Sequence, residues 1–216
     1  MTSHIANKIE QHFSQFPKRT YPAGQILVFA DENPEHIFYI VKGRVRKYDV
    51  SYRGEEVILN IFRAPSYFPM SWAINRLPNE YFYKTETSTV LHVVPTDEAL
   101  QFVKDNPDVM LDLLSRIYKG MDGLLGRVVG LMSGSAQSRL VYELIVDCRR
   151  FGQLNTDGSY TLSTTEVDLA ARSGLSRETI SREIHKLKTD GLVSVSSTGI
   201  VINDFTGLKK RGGTKV

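Results

Sequence analysis

Residues Leu175 to Gly191 read LSRETISREIHKLKTDG, and the phase of this stretch decides what the C-terminal part of the chain is. At about 100° per residue, Ile180, Ile184 and Leu187 share one narrow stripe of a helix, while Arg177, Glu178, Ser181, Arg182 and His185 share another. The apolar stripe needs a core to pack on. The polar stripe joins two forked guanidinium donors to one carboxylate acceptor. Such a face fits base edges in a major groove, where arginine donates twice to guanine and glutamate accepts from the cytosine amine. It equally fits a solvated helix face with an i,i+4 ion pair between Glu178 and Arg182. On this stretch alone both readings stand.

The flanking residues separate them. Ser163 and Glu166 form an S-T-T-E capping box, which predicts a short helix through Val167, Leu169, Ala170 and Ala171. Ser173-Gly174-Leu175 supplies a tight turn, and Ser176 is an N-cap for the next helix. Two helices joined by a few residues including a glycine describe a helix-turn-helix. Asp190-Gly191 stops the second helix, and LVSVSSTGIVI predicts a hairpin turning near Ser196 to Gly199. That hairpin reads as a wing.

Upstream, from about Tyr21 to Pro95, the runs GQILVFA, HIFYIVKGRVRKYDV, EEVILNIF and TSTVLHVVP predict an antiparallel β domain. Asn33-Pro34, Lys42-Gly43 and Arg53-Gly54 punctuate it. Between Pro65 and Glu86, three prolines interrupt an aromatic segment with Tyr67, Phe68, Trp72, Tyr81, Phe82 and Tyr83. These rings line a pocket or fill the β core. After Asn106-Pro107 the spacing of Met110, Leu113, Leu114, Ile117, Met121, Leu124, Leu125, Val128 and Met132 predicts a helix over about residues 108 to 132. At about 1.5 Å per residue it is about 37 Å long. Gly120, Gly123, Gly126 and Gly130 lie inside it, each costing about 1 kcal/mol relative to alanine. A second copy of the helix, closely approached across a two-fold seam, would compensate them; packing on the chain's own β domain is the alternative. Ser133-Gly134-Ser135 marks a hinge, and the next amphipathic helix turns Leu140, Val141, Leu144, Ile145 and Cys148 inward.

Composition narrows the class. The chain of 216 residues carries a formal charge of +3 with a pI near 8.9, which permits nucleic-acid binding without requiring it. No run of about 18 apolar residues occurs, and the N-terminus lacks a signal-peptide layout, so the expectation is a cytoplasmic protein with no membrane partner. The single Cys148 excludes an internal disulfide and a four-thiolate iron-sulfur cluster within one chain. Basic residues gather from Arg172 onward, and GLKKRGGTKV reads as a flexible basic tail. No phosphate loop, H-E-x-x-H or G-x-S-x-G motif is present, so no enzyme is expected.

The order of β domain, long helix, two helices and hairpin resembles the superfamily of the cyclic-AMP receptor and the fumarate-nitrate regulator, over nearly the whole chain. SRETISR is the most specific part, matching the family's E-T-x-S-R, and FYIVKGRV fits the β domain. The resemblance implies an α+β chain: an N-terminal antiparallel β-roll of the cyclic-nucleotide-binding jelly-roll type over 1–106, a dimerisation helix over 107–133 and a C-terminal winged helix-turn-helix over 134–216. It implies a homodimeric transcription regulator on double-stranded DNA, joined through residues 108–132, with RNA polymerase as a partner if it activates. Arg182 and Glu178 would read a G·C pair near the inner end of a half-site, Arg177 a guanine further out and Ser181 a thymine. Thr165, Ser176, Thr179, Lys188 and Thr198 would contact phosphates. The half-sites expected are TGTGA-like or TTGA-like.

The effector is where the chain departs from the family pattern. Pro69-Met70 stands where nucleotide binders carry Gly-Glu, Glu80-Tyr81 where they carry Arg-Ser, and Leu124-Leu125 where they carry Thr-Ser. A carboxylate in place of the arginine repels phosphate, so cyclic AMP is not the expected effector. His92 is the one tempting haem ligand and reads as a hydrogen-bonded structural histidine. An effector site would draw on Met70, Trp72, Glu80, Tyr81, Tyr83, His92, Leu124 and Leu125, holding either an aromatic or apolar ligand or only its own side chains. No cofactor is expected. The competing class, a nucleotide-binding-like signalling module, leaves the winged helix without a role.

Overall fold

The computed structural model describes residues 3–196 and 199–212. The chain divides into two compact units, Met1–Lys119 and Gly120–Val216. The first runs α1 (Ser3–Phe13), β1 (Lys18–Tyr21), β2 (Ile26–Val28), β3 (His36–Lys42), β4 (Arg44–Val50), β5 (Glu56–Arg63), β6 (Ser66–Phe68), α2 (Met70–Asn75), β7 (Phe82–Thr85), β8 (Thr89–Pro95) and α3 (Thr96–Asp105). Its strands form two antiparallel four-stranded sheets, ordered β1-β8-β3-β6 and β2-β7-β4-β5. This is the β-roll.

Strand alternation gives the unit two apolar layers. Phe38, Ile40, Phe68, Leu91 and Tyr83 fill the space between the sheets. Ile37, Tyr39, Tyr67 and Val94 face the other way, onto Ile9 and Phe13 of α1 and Phe102 of α3. Local spacing in the sequence marks neither α1 nor α3, nor β1, β6 and β7, the last two inside the proline-broken aromatic segment. Of those aromatics Tyr67, Phe68 and Tyr83 are core: Phe68 stacks on Phe62 at 5.2 Å, on Tyr83 at 5.1 Å and on Phe38 at 5.6 Å.

The long helix α4 spans Pro107–Ser133, and the unit boundary falls inside it. Its first part packs on the β-roll through buried Val109 and neighbouring Leu113. Lys8 pairs with Asp108 at 2.6 Å, and Arg116 donates to the Pro65 carbonyl at 3.1 Å. Its second part packs on α5 (Ala136–Phe151). There the Arg127 guanidinium grips the Glu143 carboxylate at 2.5 and 2.9 Å, and the Tyr142 hydroxyl donates to the Gly123 carbonyl at 2.9 Å. Packing thus divides the chain inside the helix, where the sequence divides it at 106/107 and 133/134.

One glycine of α4, Gly126, meets a partner within the chain itself. Phased at about 100° per residue, Gly123, Gly126 and Gly130 lie on the side opposite the stripe of Met121, Leu124, Val128 and Met132. They do not line an apolar seam. At Gly126 a Cβ would stand 2.4 Å from the Tyr142 hydroxyl oxygen, whereas at Gly130 it would meet nothing within 4 Å. Gly126→Ala is therefore expected to lower stability by about 1–3 kcal/mol through overpacking. Gly130→Ala is expected to raise it by up to about 1 kcal/mol through helix propensity. Thermal denaturation of the two variants checks the contrast, and equal shifts would remove the role of Tyr142.

The rest of the second unit runs β9 (Gln153–Leu154), β10 (Tyr160–Leu162), α6 (Glu166–Ser173), α7 (Arg177–Thr189), β11 (Val193–Ser196), β12 (Gly199–Ile202) and α8 (Phe205–Gly212). The strands form one sheet, β11-β12-β10-β9. The core gathers Leu140, Leu144 and Ile145 of α5 with Leu169, Ile180, Ile184, Leu187 and Ile202. The expected flexible tail is in part a helix: Leu208 of α8 is fully buried in this core. Lys215 and Thr198 lie outside the described residues. Among the described residues no helix is long and apolar enough to cross a membrane.

Candidate DNA interface and effector region

The two helices of the motif are positioned by three local devices. Thr165 caps α6, its hydroxyl accepting from the Asp168 amide at 3.1 Å. This corrects the expected cap at Ser163. The chain is still leaving β10 at Leu162, and the Thr164 hydroxyl is taken by Arg172 at 2.6 Å, so the helix starts two residues later. Gly174 ends α6 at φ 62°, a left-handed conformation that glycine adopts without strain. Ser176 caps α7 as expected, accepting from the Thr179 amide at 3.2 Å.

Ile180, Ile184 and Leu187 are buried, each contributing roughly 1.5–3 kcal/mol, and they fix the rotation of α7. Arg177, Glu178, Ser181, Arg182, His185 and Lys188 are left exposed. The Arg182 guanidinium donates to the Thr179 hydroxyl at 3.2 Å, and Arg177 stands 3.9 Å from Glu166. Glu178 is held below the usual carboxylate range by its own backbone N–H and the Ser176 hydroxyl, with Arg177 and Arg182 adding to the effect. At neutral pH it is an acceptor only, as pairing with a cytosine amine requires. Of the residues expected at phosphates, Thr165 and Ser176 spend their hydroxyls as caps, Thr179 meets Arg182, and Lys188 is exposed near the end of α7.

Arg172 is the functional-looking residue that sequence misplaced. Counted among the surface bases, it is buried, pairing with Asp147 of α5 at 2.6 Å and donating to the Thr164 hydroxyl and the Asp168 carbonyl. It braces the helix-turn-helix from inside. Cys148, beside Asp147, is a core residue whose thiol burial pushes up to about 11, so it stays protonated and unreactive at neutral pH.

Within the first unit the residues expected around an effector lie in different layers. Tyr83 lies between the sheets with Tyr81 against that core, and the Lys47 ammonium sits 3.7 Å from the Tyr81 ring centre. Met70 and His92 lie on the helix-covered side of the other sheet. There His92 Nδ1 bonds the Phe16 carbonyl at 2.8 Å, the structural role expected of it. Trp72 Nε1 donates to Asn33 at 3.3 Å, and Glu80 is exposed. Leu124 and Leu125 are exposed on the part of α4 that belongs to the second unit. Among the described residues no group of three His, Cys, Asp or Glu side chains could hold a metal ion.

Comparison with known proteins agrees with this architecture. Residues 18–106 match the family model of the cyclic nucleotide-binding domain, and residues 138–211 match that of the Crp-like helix-turn-helix domain. The global nitrogen regulator of Synechocystis sp. is 23% identical over 195 residues, covering 89% of this chain and 87% of the relative. The cAMP-activated global transcriptional regulator CRP of Haemophilus influenzae is 21% identical, covering 84% and 82%. A solved structure of a CooA mutant from Carboxydothermus hydrogenoformans superimposes with a TM-score of 0.77 at 21% identity, covering 92% and 88%.

A β-roll, a long helix and a winged helix-turn-helix with a solvent-facing polar helix define a DNA-binding transcription regulator, and the relatives are regulators, not enzymes. The chain belongs to the Crp-Fnr superfamily.

Proposed function

We propose that this regulator works in the cytoplasm as a homodimer on an inverted repeat, with half-sites about one DNA turn, ~34 Å, apart. The observation that carries the reading is α7 itself, capped, rotationally fixed by its buried stripe, and presenting Arg177, Glu178, Ser181 and Arg182 to solvent. Arg182 and Glu178 read a G·C pair, Arg177 a second guanine and Ser181 a thymine, giving TGTGA-like or TTGA-like half-sites. Met121, Leu124 and Val128, each nearly half exposed on one stripe of α4, support the dimer: so large an apolar stripe on a surface marks an interface.

Cyclic AMP is not the controlling ligand in this reading. Glu80 carries a carboxylate where a cyclic phosphate needs a cation, and its charge already acts on Lys47. Phe62, Phe68 and Tyr83 stack in the space between the sheets.

Binding-site selection on the full chain, with and without cyclic AMP, tests the reading. An inverted repeat with an invariant GA step is expected under both conditions, with affinity falling steeply as salt rises. Met121→Glu combined with Val128→Glu is expected to yield a monomer in sedimentation and to abolish binding to the repeat at the parental Kd. Recovery of no repeat would leave the signalling-module reading in its place.

A further inference from the structure

Three helices of the second unit meet around a cleft. Arg127 and Leu131 of α4, Arg139, Tyr142 and Glu143 of α5, and Arg172 of α6 line it, and it measures about 230 Å³ counted to its open mouth. Gly130, one turn beyond Gly126 on the side of α4 that meets Tyr142, lines it too, and a Cβ there would touch nothing within 4 Å. Two of the three guanidiniums are matched by carboxylates of the fold. Arg127 grips Glu143 at 2.5 and 2.9 Å, and Arg172 pairs with Asp147 at 2.6 Å. Arg139 is different: its Nε is buried without a hydrogen-bond partner, and among the described residues its guanidinium holds no ion pair. A buried charged donor is costly until an acceptor meets it. With the other two arginines paired, the cleft carries one positive charge in excess.

We propose that this cleft is a binding site for a short-chain monocarboxylate, whose two oxygens accept from the Arg139 guanidinium while its carbon chain lies against Leu131 and the Tyr142 ring. A guanidinium presents parallel N–H donors that match the two oxygens of a carboxylate. One negative charge balances the one in excess, whereas a doubly charged phosphate would bring like charge beside the Glu143 carboxylate in the same cleft. Leu131 and the Tyr142 ring give the occupant an apolar wall that a bare inorganic anion does not use. The site also touches the motif that positions α7. A Cβ on Gly174, the residue that ends α6, would stand 3.6 Å from Leu131 and 3.9 Å from Arg139 Nη1. A bound carboxylate thus braces α4 and α5 at the turn of the helix-turn-helix.

Thermal denaturation of the full chain, with sodium butyrate replacing sodium chloride at constant ionic strength, tests the site in the parental protein, Arg139→Met and Gly130→Leu. The parental Tm is expected to rise saturably with butyrate, because a ligand held only by the folded state stabilises it by mass action. Amide exchange at Leu131, Arg139 and Ser173 is expected to slow in step. Arg139→Met keeps the aliphatic stem and strands no carboxylate of the fold, and it should raise the half-saturating concentration roughly tenfold or more through loss of charge-assisted hydrogen bonds. Gly130→Leu leaves Arg139 in place and fills the cleft from α4, so it should abolish the response even where Arg139→Met does not fold. A response equal to the parental one in either variant overturns the inference. So does a parental Tm that ignores butyrate, which leaves the Arg139 Nε to water. Saturation by phosphate with none by butyrate overturns the carboxylate assignment. No readout involves DNA, so failure here leaves the proposed function standing.

Discussion

Arg182→Ala is expected to lose about 1–3 kcal/mol of binding per half-site, roughly fivefold to more than a hundredfold, and its selected sites should lose preference at one symmetric pair of positions. Direct readout makes both losses necessary. Arginine distinguishes guanine by donating two parallel bonds to O6 and N7, and its guanidinium is pre-set for this by the Thr179 hydroxyl on the preceding turn. Alanine removes both donors without disturbing the core, because Arg182 is exposed and the buried stripe of Ile180, Ile184 and Leu187 is untouched. Arg182→Lys separates charge from geometry: it keeps the attraction to DNA but cannot supply the fork, so affinity recovers in part while base preference does not. A parental logo from Arg182→Ala would end the assignment. Uniform weakening with an unchanged logo would move Arg182 to a phosphate.

What the sequence made legible was what local spacing determines. The rotation of α7, its Ser176 cap, the Gly174 turn and the extent of α4 all depend on residues a few positions apart. The β-roll was visible only as runs of β-formers, because the order β1-β8-β3-β6 pairs strands as much as seventy residues apart. The helices α1 and α3 escaped for a related reason: their apolar residues make sense only against the outer face of a sheet already folded. The glycines of α4 show a different kind of miss. Their phase, opposite the apolar stripe, was available from the sequence, but the partner that requires Gly126 is Tyr142, sixteen residues on, in another helix. The effector residues were chosen by position in a family pattern, and alternation along β8 and β7 sends His92 and Tyr83 to different layers.

The largest stability effect belongs to Arg172, which in the sequence is simply the first of a run of basic residues. Arg172→Ala is expected to destabilise the second unit by about 3–5 kcal/mol, because it removes the guanidinium that pairs with the buried Asp147 carboxylate at 2.6 Å. Both side chains of the pair are almost wholly buried, at 3% and 5% exposure. The Thr164 hydroxyl and the Asp168 carbonyl lose a donor at the same time. For a unit of this size each kcal/mol moves Tm by roughly 4–8 °C, so its unfolding transition should fall by more than about 10 °C. Replacing both partners with apolar residues, Arg172→Met with Asp147→Leu, should restore most of the loss, since a buried pair costs more to break than to replace. Arg177→Ala provides the opposite case: its side chain is 70% exposed, so Tm should hold within about 1 °C while operator affinity falls. Two arginines five residues apart are thus expected to divide the work: Arg172 holds Asp147 inside the fold, and Arg177 is proposed to meet DNA outside it. A Tm loss from Arg177→Ala as large as that from Arg172→Ala would erase the division.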